Sequence, residues 1–192
     1  MRYPEAPPYR RPKDWDQGPE QHDERAADRA LVVLVGSLVA LLAYIWVRFE
    51  WRYSVGAIVA TTHDVLIVLA AFVFTQREMS LTVVAAVLTV AGYSVNDTIV
   101  IFDRIREFMR KYQKKDIKDT FNDSINQTLS RTVLTSGTTL FVVLAIYFFG
   151  GEIINDFAFA LLIGIVVGTY SSIFVAAPVV YLLLQRFPYK LR

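Results

Sequence analysis

Four ionisable side chains lie within, or at the edge of, strongly apolar stretches of the sequence: His63, Asp64, Asp97 and Arg131. A charged side chain at the centre of a membrane-spanning helix costs about 2.5–3.5 kcal/mol even on a lenient insertion scale. Such groups are expected either to pair with other polar groups or to carry out a function. The chemistry that suits a carboxyl group shielded from water is the binding and release of protons.

Asp97 is the strongest candidate for a proton carrier. It follows Tyr93 and Ser94 by four and three positions, so these residues share one helix face. The result is a polar stripe on an otherwise apolar helix. The alternative interpretation is a carboxyl group that only bonds neighbouring helices and helps to pack them.

The other three ionisable residues are open to structural interpretations as well. Arg131 keeps its charge at any ordinary pH and would favour the ionised form of a nearby Asp97, or it extends to the membrane surface. His63 and Asp64 are adjacent and point about 100° apart on a helix. We therefore expect them to serve different neighbours, with hydrogen bonding as their main role.

Several other kinds of site are missing from the sequence. Cysteine is absent, which excludes thiolate zinc and iron–sulfur centres, and two histidines are too few for a histidine-based metal site. No catalytic triad or phosphate-binding loop is visible, so an enzyme is not expected. The net charge of +2 gives no reason to expect nucleic acid as a partner.

Five apolar stretches must position the ionisable residues. At a rise of about 1.5 Å per residue, each can cross roughly 30 Å of hydrocarbon as a helix. The sequence thus predicts an all-α, polytopic membrane protein with five transmembrane helices. The predicted spans cover about residues 30–47, 53–74, 79–102, 132–149 and 157–184.

The last two spans carry further features. Hydroxyl residues crowd the fourth span, where we expect most of them to pack helices; the alternative is that they line a hydrated path. They are Thr132, Thr135, Ser136, Thr138 and Thr139. In the fifth span, Gly164 and Gly168 form a small-xxx-small pattern that favours close helix packing, and Pro178 makes a bend plausible.

The charged segments divide the chain into a tail, a transmembrane domain (30–192) and a connector. Residues 1–29 hold five of the seven prolines and predict a disordered or extracytoplasmic tail. Residues 103–131 contain eight Lys or Arg residues, and apolar residues recur there every four positions from Ile117, which predicts a cytoplasmic amphipathic connector. The distribution of positive charge places the C-terminus in the cytoplasm.

Several ordered motifs resemble the SecF family, which supplies a protein-export membrane subunit of the SecDF complex in the RND superfamily. The main match is the sequence Gly-Tyr-Ser-Val-Asn-Asp-Thr at 92–98, followed by 101–107. The other matching segments are 48–52, 63–65, 124–132, 147–151 and 164–172. The resemblance covers about residues 31–185 and implies an RND/SecDF-type half-bundle. It also implies that the five spans correspond to spans two to six of the family, without the first transmembrane helix and the extracytoplasmic domain.

The resemblance implies a function in the bacterial cytoplasmic (inner) membrane. SecF-type subunits use proton flow to drive late steps of polypeptide export, with protons as the coupling ion and no cofactor. The implied partners are SecD, the SecYEG translocon, YajC, YidC, the exported unfolded polypeptide and the lipid bilayer. Two other functions stay open, namely an RND-type proton-coupled exporter of lipids or small molecules, and a non-transporting translocase scaffold.

The resemblance also assigns roles to particular residues. The Asp of the family's Asn-Asp-Thr motif and the Arg of its Ser-Arg-Thr motif belong to the proton pathway, and here they are Asp97 and Arg131. The residues expected to surround or support this pathway are Ser94, Asn96, Thr98, Asp64 and His63.

Overall fold

The computed structural model describes residues 19–48 and 50–187, and this part of the chain contains helices and no strand. A short π-helical segment, the π turn, interrupts the last long helix. In chain order the elements are α1 (Pro19–Arg48), α2 (Trp51–Thr75), α3 (Leu81–Lys111), α4 (Ile117–Phe149), α5 (Glu152–Ser171), the π turn (Ser172–Ala176) and α6 (Ala177–Arg186).

The prediction of an all-α protein with several membrane spans is confirmed. Four helices within the described residues are long and apolar enough to cross a membrane, if α5, the π turn and α6 are taken as one helix, Glu152–Arg186. The first predicted span lies inside α1, where the described apolar part, Val35–Val47, is shorter than the other four. The predicted number of five is therefore approximate.

Two predicted segments are placed differently from the sequence-based boundaries. Residues 1–18 of the predicted tail lie outside the described residues, whereas 19–29 belong to α1. This part of the sequence has Pro at the first helical position, followed by Glu, Gln, Arg and Ala, all of which favour a helix. The predicted connector, 103–131, is divided between the end of α3, a short link and the start of α4. Charged residues with high helix propensity let both helices continue beyond their apolar parts.

Helix α3 lies at the centre of the bundle and contacts α1, α2, α4 and α5. Its closest approach is to α5, where a Cβ atom on Gly164 would lie only 2.8 Å from Val90 Cβ. One turn later, a Cβ atom on Gly168 would lie 3.0 Å from Ser94 Cβ. Both glycines of the small-xxx-small pattern therefore allow two backbones to come close, as expected.

At one end of the bundle, Arg77 ties the α2–α3 link to α5. Its guanidinium donates to Asp156 and to Asn155 Oδ1, the latter at 2.9 Å, and lies 4.3 Å from the centre of the Phe159 ring. The chain turns sharply here because Gln76 is left-handed (φ 53°) and directs it from α2 towards α3. The opposite end carries the basic residues of the α3–α4 region.

The bend that Pro178 made plausible is accompanied by the π turn. Proline has no backbone N–H, so it cannot complete the hydrogen-bond pattern of the preceding helical turn. The π turn directly precedes α6, and Pro178 lies in the first turn of α6. Ser171 ends α5 at the same point, and its side chain is fully buried.

Candidate functional site

The buried polar residues of three helices lie between two apolar clusters. One cluster includes Ala60, Ile101 and Val180, and the other includes Val68 and Val90. On α2 and α3, the buried polar residues between these positions include Asp64, Ser94 and Asp97. The apolar clusters on both sides shield this polar layer from water along the helix axes.

Asp97 is buried, with 5% of its surface exposed, at a junction of α3, α4 and α5. Ser136 Oγ of α4 donates a hydrogen bond of 3.3 Å to Asp97 Oδ2. Thr169 Oγ1 of α5 in turn donates to Ser136 Oγ at 2.7 Å. The carboxyl group is thus connected through hydroxyl groups to two other membrane-spanning helices.

Arg131 lies on α4, five residues before Ser136, and its side chain is exposed. Among the described residues, its guanidinium makes no hydrogen bond or ion pair, although it lies on the same helix as Ser136, the donor to Asp97. It lines a cleft of about 380 Å³ between α3 and α4, with Asp103 and Glu107 on the other wall. The positive charge is therefore close to Asp97 without being fixed to it.

Asp64 forms a second buried site and is completely inaccessible. Ser94 Oγ of α3 and Ser171 Oγ of α5 both donate to Asp64 Oδ2, the second at 2.8 Å. Nδ1 of His63 lies 3.0 Å from Asp64 Oδ1, and 32% of the histidine side chain is exposed. The expectation that His63 and Asp64 serve different neighbours was wrong, because the imidazole turns along the helix surface and reaches the adjacent carboxyl group.

The remaining predicted site residues are distributed between these surroundings. Ser94, expected near Asp97, makes its hydrogen bond to Asp64. Thr98 is buried next to Asp97 in sequence, whereas Asn96 is exposed. The structure thus brings Asp64, His63 and Ser94 into one cluster and places Asp97 in a separate one.

Three hydroxyl residues of these clusters were not predicted as site residues. Ser136 belonged to the hydroxyl residues of which most were expected to pack helices, and Thr169 and Ser171 were part of a matching motif without an assigned role. Each of the three contacts a buried carboxylate directly or through one other hydroxyl group. The available signal was their position in an apolar helix, which does not specify the partner.

Part of the polar surface of α3 and α4 is not covered by the bundle. Gly92 and Asn96 are exposed on α3, one helical turn apart, and Thr135 and Thr138 are exposed on α4. Both threonine hydroxyls bond to backbone carbonyls of their own helix, Thr135 at 3.0 Å from Arg131 O. These small or self-bonded residues leave surfaces suitable for another helix.

The described residues contain no group of three or more metal-binding side chains.

Residues 16–186 match the family of protein export membrane proteins SecD/SecF, C-terminal. The chain is 55% identical to protein translocase subunit SecF of Vibrio alginolyticus over 83% of its length, covering 50% of that relative. The SecF of Rhodothermus marinus is 52% identical, with 82% of this chain and 53% of the relative covered. The chain therefore spans about half the length of these curated relatives.

Solved structures show the same similarity. A crystal structure of SecDF in a super-membrane-facing form matches with a TM-score of 0.76 and 44% identity, over 88% of this chain and 22% of the other. A crystal structure of SecDF from Thermus thermophilus, a translocon-associated membrane protein, gives a TM-score of 0.78 and 44% identity, with 82% and 22% covered.

Proposed function

Because the chain belongs to the SecD/SecF C-terminal family of protein export membrane proteins, we propose that it forms the membrane part of a SecF-type translocase subunit driven by protons. In this proposal, proton movement across the bacterial cytoplasmic membrane drives late steps of polypeptide export. The observation that carries the proposal is the position of Asp97, a buried carboxyl group at a junction of three membrane-spanning helices with Arg131 nearby.

The proposed proton step uses the contacts of Asp97. The ionised carboxylate accepts the hydrogen bond of Ser136 and is attracted by Arg131. When the carboxylate takes up a proton, its charge disappears, so the attraction to Arg131 is lost and α3 and α4 are held together less firmly. One charge that crosses 100 mV releases about 2.3 kcal/mol, which shifts a two-state equilibrium about fifty-fold.

The proposed direct partner is SecD. The exposed Asn96 of α3 and the exposed Arg131 of α4 support this, because polar and charged groups of membrane helices are normally covered by protein or water. The similar solved structures are of SecDF. SecYEG, YajC and YidC are proposed as further partners, with the exported unfolded polypeptide as the substrate and the C-terminus on the cytoplasmic side.

Export into inverted membrane vesicles tests this function. The vesicles contain the chain, SecD, SecYEG and SecA, and export is compared with and without a proton gradient. We expect Asp97→Asn to abolish the gradient-dependent part of export. Asp119→Asn is the matched control, because Asp119 is exposed in the first turn of α4 and does not line the cleft beside Arg131.

The results separate the proposed function from its rivals. Equal gradient-dependent export in Asp97→Asn and the unaltered chain would refute the role of Asp97. Export that does not respond to the gradient, while the complex with SecD still forms, would favour a non-transporting scaffold. An exporter of lipids or small molecules would show gradient-dependent transport of those compounds without any effect on polypeptide export.

A further inference from the structure

The Asp64 site is not used by the proton step at Asp97. We infer that His63 and Asp64 together form a second proton-binding site, which holds one proton and exchanges it through His63. The binding of the proton does not depend on the proposed function, but its use in transport rests on that function. The inference follows from the burial, the hydrogen bonds and the charges around Asp64.

The charges of the bundle give the first argument. Helices α1 and α4 have no charged residue in 30–47 and 132–149, and α5, the π turn and α6 have none in 157–185. Between Leu81 and Phe102, the only charged residue of α3 is Asp97, which bonds to Ser136. The nearest charges within the apolar region are therefore those of Asp97 and Arg131.

Among the described residues, His63 is therefore the one group within hydrogen-bonding distance of Asp64 that can neutralise it. An uncompensated charge is costly in a medium of low dielectric constant, so the pair is most stable with a net charge of zero. One proton on the pair achieves this, either as imidazolium with carboxylate or as imidazole with carboxylic acid. Their atoms are 3.0 Å apart, which lets the proton move along this hydrogen bond.

The exposure of the two side chains indicates the route by which a proton reaches Asp64. Asp64 is fully buried, while about a third of the His63 side chain is accessible. A proton that enters the site therefore binds to the imidazole first and then passes from Nδ1 to Oδ1 of Asp64. On release it returns along the same bond and leaves from the imidazole.

The hydrogen bonds of Asp64 connect this site to the Asp97 site. Ser94 lies three residues before Asp97 on α3, and Ser171 lies two residues after Thr169 on α5. The same two helices therefore hold both carboxylates. Ser171 also directly precedes the π turn, and π-helical segments often occur at functional sites.

Infrared difference spectroscopy during a pH change tests the inference. The protein is reconstituted with SecD in nanodiscs. The carboxyl and imidazole bands are compared for the unaltered chain, His63→Gln, Asp64→Asn and Asp97→Asn, with Asp119→Asn as control. We expect His63→Gln and Asp64→Asn to remove the same set of pH-dependent bands. Asp97→Asn is expected to leave that set in place.

A kinetic measurement keeps the inference testable if Asp64→Asn does not fold. His63 is partly exposed, so His63→Gln is the variant that best preserves the packing. We expect His63→Gln to slow proton exchange at the Asp64 carboxyl by about a hundredfold, since a positioned acid–base group typically contributes that much. Unchanged bands and an unchanged exchange rate in this variant would overturn the inference. Loss of export in Asp97→Asn is a separate result and bears only on the proposed function.

Discussion

The two buried carboxylates of this bundle differ in how fully they are bonded. Asp64 receives hydrogen bonds from Ser94 and Ser171 and contacts His63, and none of its surface is exposed. Asp97 receives one hydrogen bond from the described residues, at 3.3 Å from Ser136. A carboxylate offers about four acceptor positions, so Asp97 has unused capacity and Asp64 has little.

This difference separates a fixed site from an adaptable one. The contacts of Asp64 hold α2, α3 and α5 in one arrangement, because any change of arrangement breaks several hydrogen bonds at once. Asp97 loses only one weak bond when α3 and α4 move apart, and Arg131 is free to approach it or withdraw. The Asp97 site is therefore the better candidate for the step in which helices move. The Asp64 site is the better candidate for holding α2, α3 and α5 in place during that step.

The largest difference in stability is expected when each carboxyl group is removed. We expect Asp64→Ala to destabilise the protein by about 3 kcal/mol, because two buried serine hydroxyls and one imidazole lose their acceptor. Asp97→Ala is expected to cost about 1 kcal/mol, since only Ser136 is affected. Unfolding of the purified protein in a mixed detergent system measures both values. Equal losses would show that the two sites are bonded equally well.

A smaller effect is expected from added volume near each site. A Cβ atom on Gly168 meets Ser94, so Gly168→Ala should displace Ser94 from Asp64 and destabilise the protein by about 1–2 kcal/mol. Gly137 adjoins Ser136 in sequence and has nothing within 4 Å of the corresponding position. Gly137→Ala should therefore leave stability unchanged or raise it by up to about 1 kcal/mol. Melting temperatures of the two variants give the comparison, and a destabilised Gly137→Ala would contradict it.

Removal of one serine donor from each carboxyl group gives a smaller difference between the two sites. Ser94→Ala removes one of the two serine donors to a fully buried carboxyl group, and we expect a loss of about 1 kcal/mol. Ser136→Ala removes a longer bond, with an expected loss of less than about 0.5 kcal/mol. Hydrogen exchange of the α3 and α5 amides in lipid nanodiscs reports both changes. A larger effect for Ser136→Ala would reverse the assignment of the fixed and adaptable sites.

The smallest effect is expected at Thr169, which touches Asp97 only through Ser136. Thr169→Val keeps the shape of the side chain and removes the hydroxyl, so stability should fall by about 0.5 kcal/mol or less. Thr169→Ser keeps the hydroxyl and serves as the control. In a double-mutant cycle, Thr169→Val should cost less once Ser136 is alanine, and the bond from Thr169 to the Ile165 carbonyl accounts for the remaining loss. Fully additive losses would contradict a chain of hydroxyl groups from Thr169 through Ser136 to Asp97.

The membrane spans, and the ionisable residues that lie within them, could be predicted from the sequence because both depend on local composition. A run of apolar residues predicts a helix wherever it packs, and an Asp in such a run is conspicuous. The pairing of Asp64 with Ser94 and Ser171 depends on which helices are neighbours and on their rotation. Neither property is contained in the spacing along one helix, so Ser94 was expected beside Asp97, the nearer residue in sequence.

The helix boundaries show the same limit. Hydropathy places the end of a span where charges begin, whereas α3 continues to Lys111 and α4 begins at Ile117. Backbone hydrogen bonds and helix propensity decide these ends, and both are indifferent to whether the side chains are apolar. The resemblance to a known family identified Asp97 and Arg131 but gave no contacts for His63.

The π turn sets the rotational phase of the last helix. Buried residues of α5 follow the usual spacing at Leu161, Gly164, Gly168 and Ser171, and an unbroken α-helix would continue this stripe through about 179 and 183. Those two positions are only half-buried, and α6 instead buries Val180 and Leu184, one residue further along the chain. The π turn thus acts as a one-residue insertion, and its length matters more than its composition. Deletion of one residue there would rotate α6 by about 100° and turn its apolar stripe away from the core.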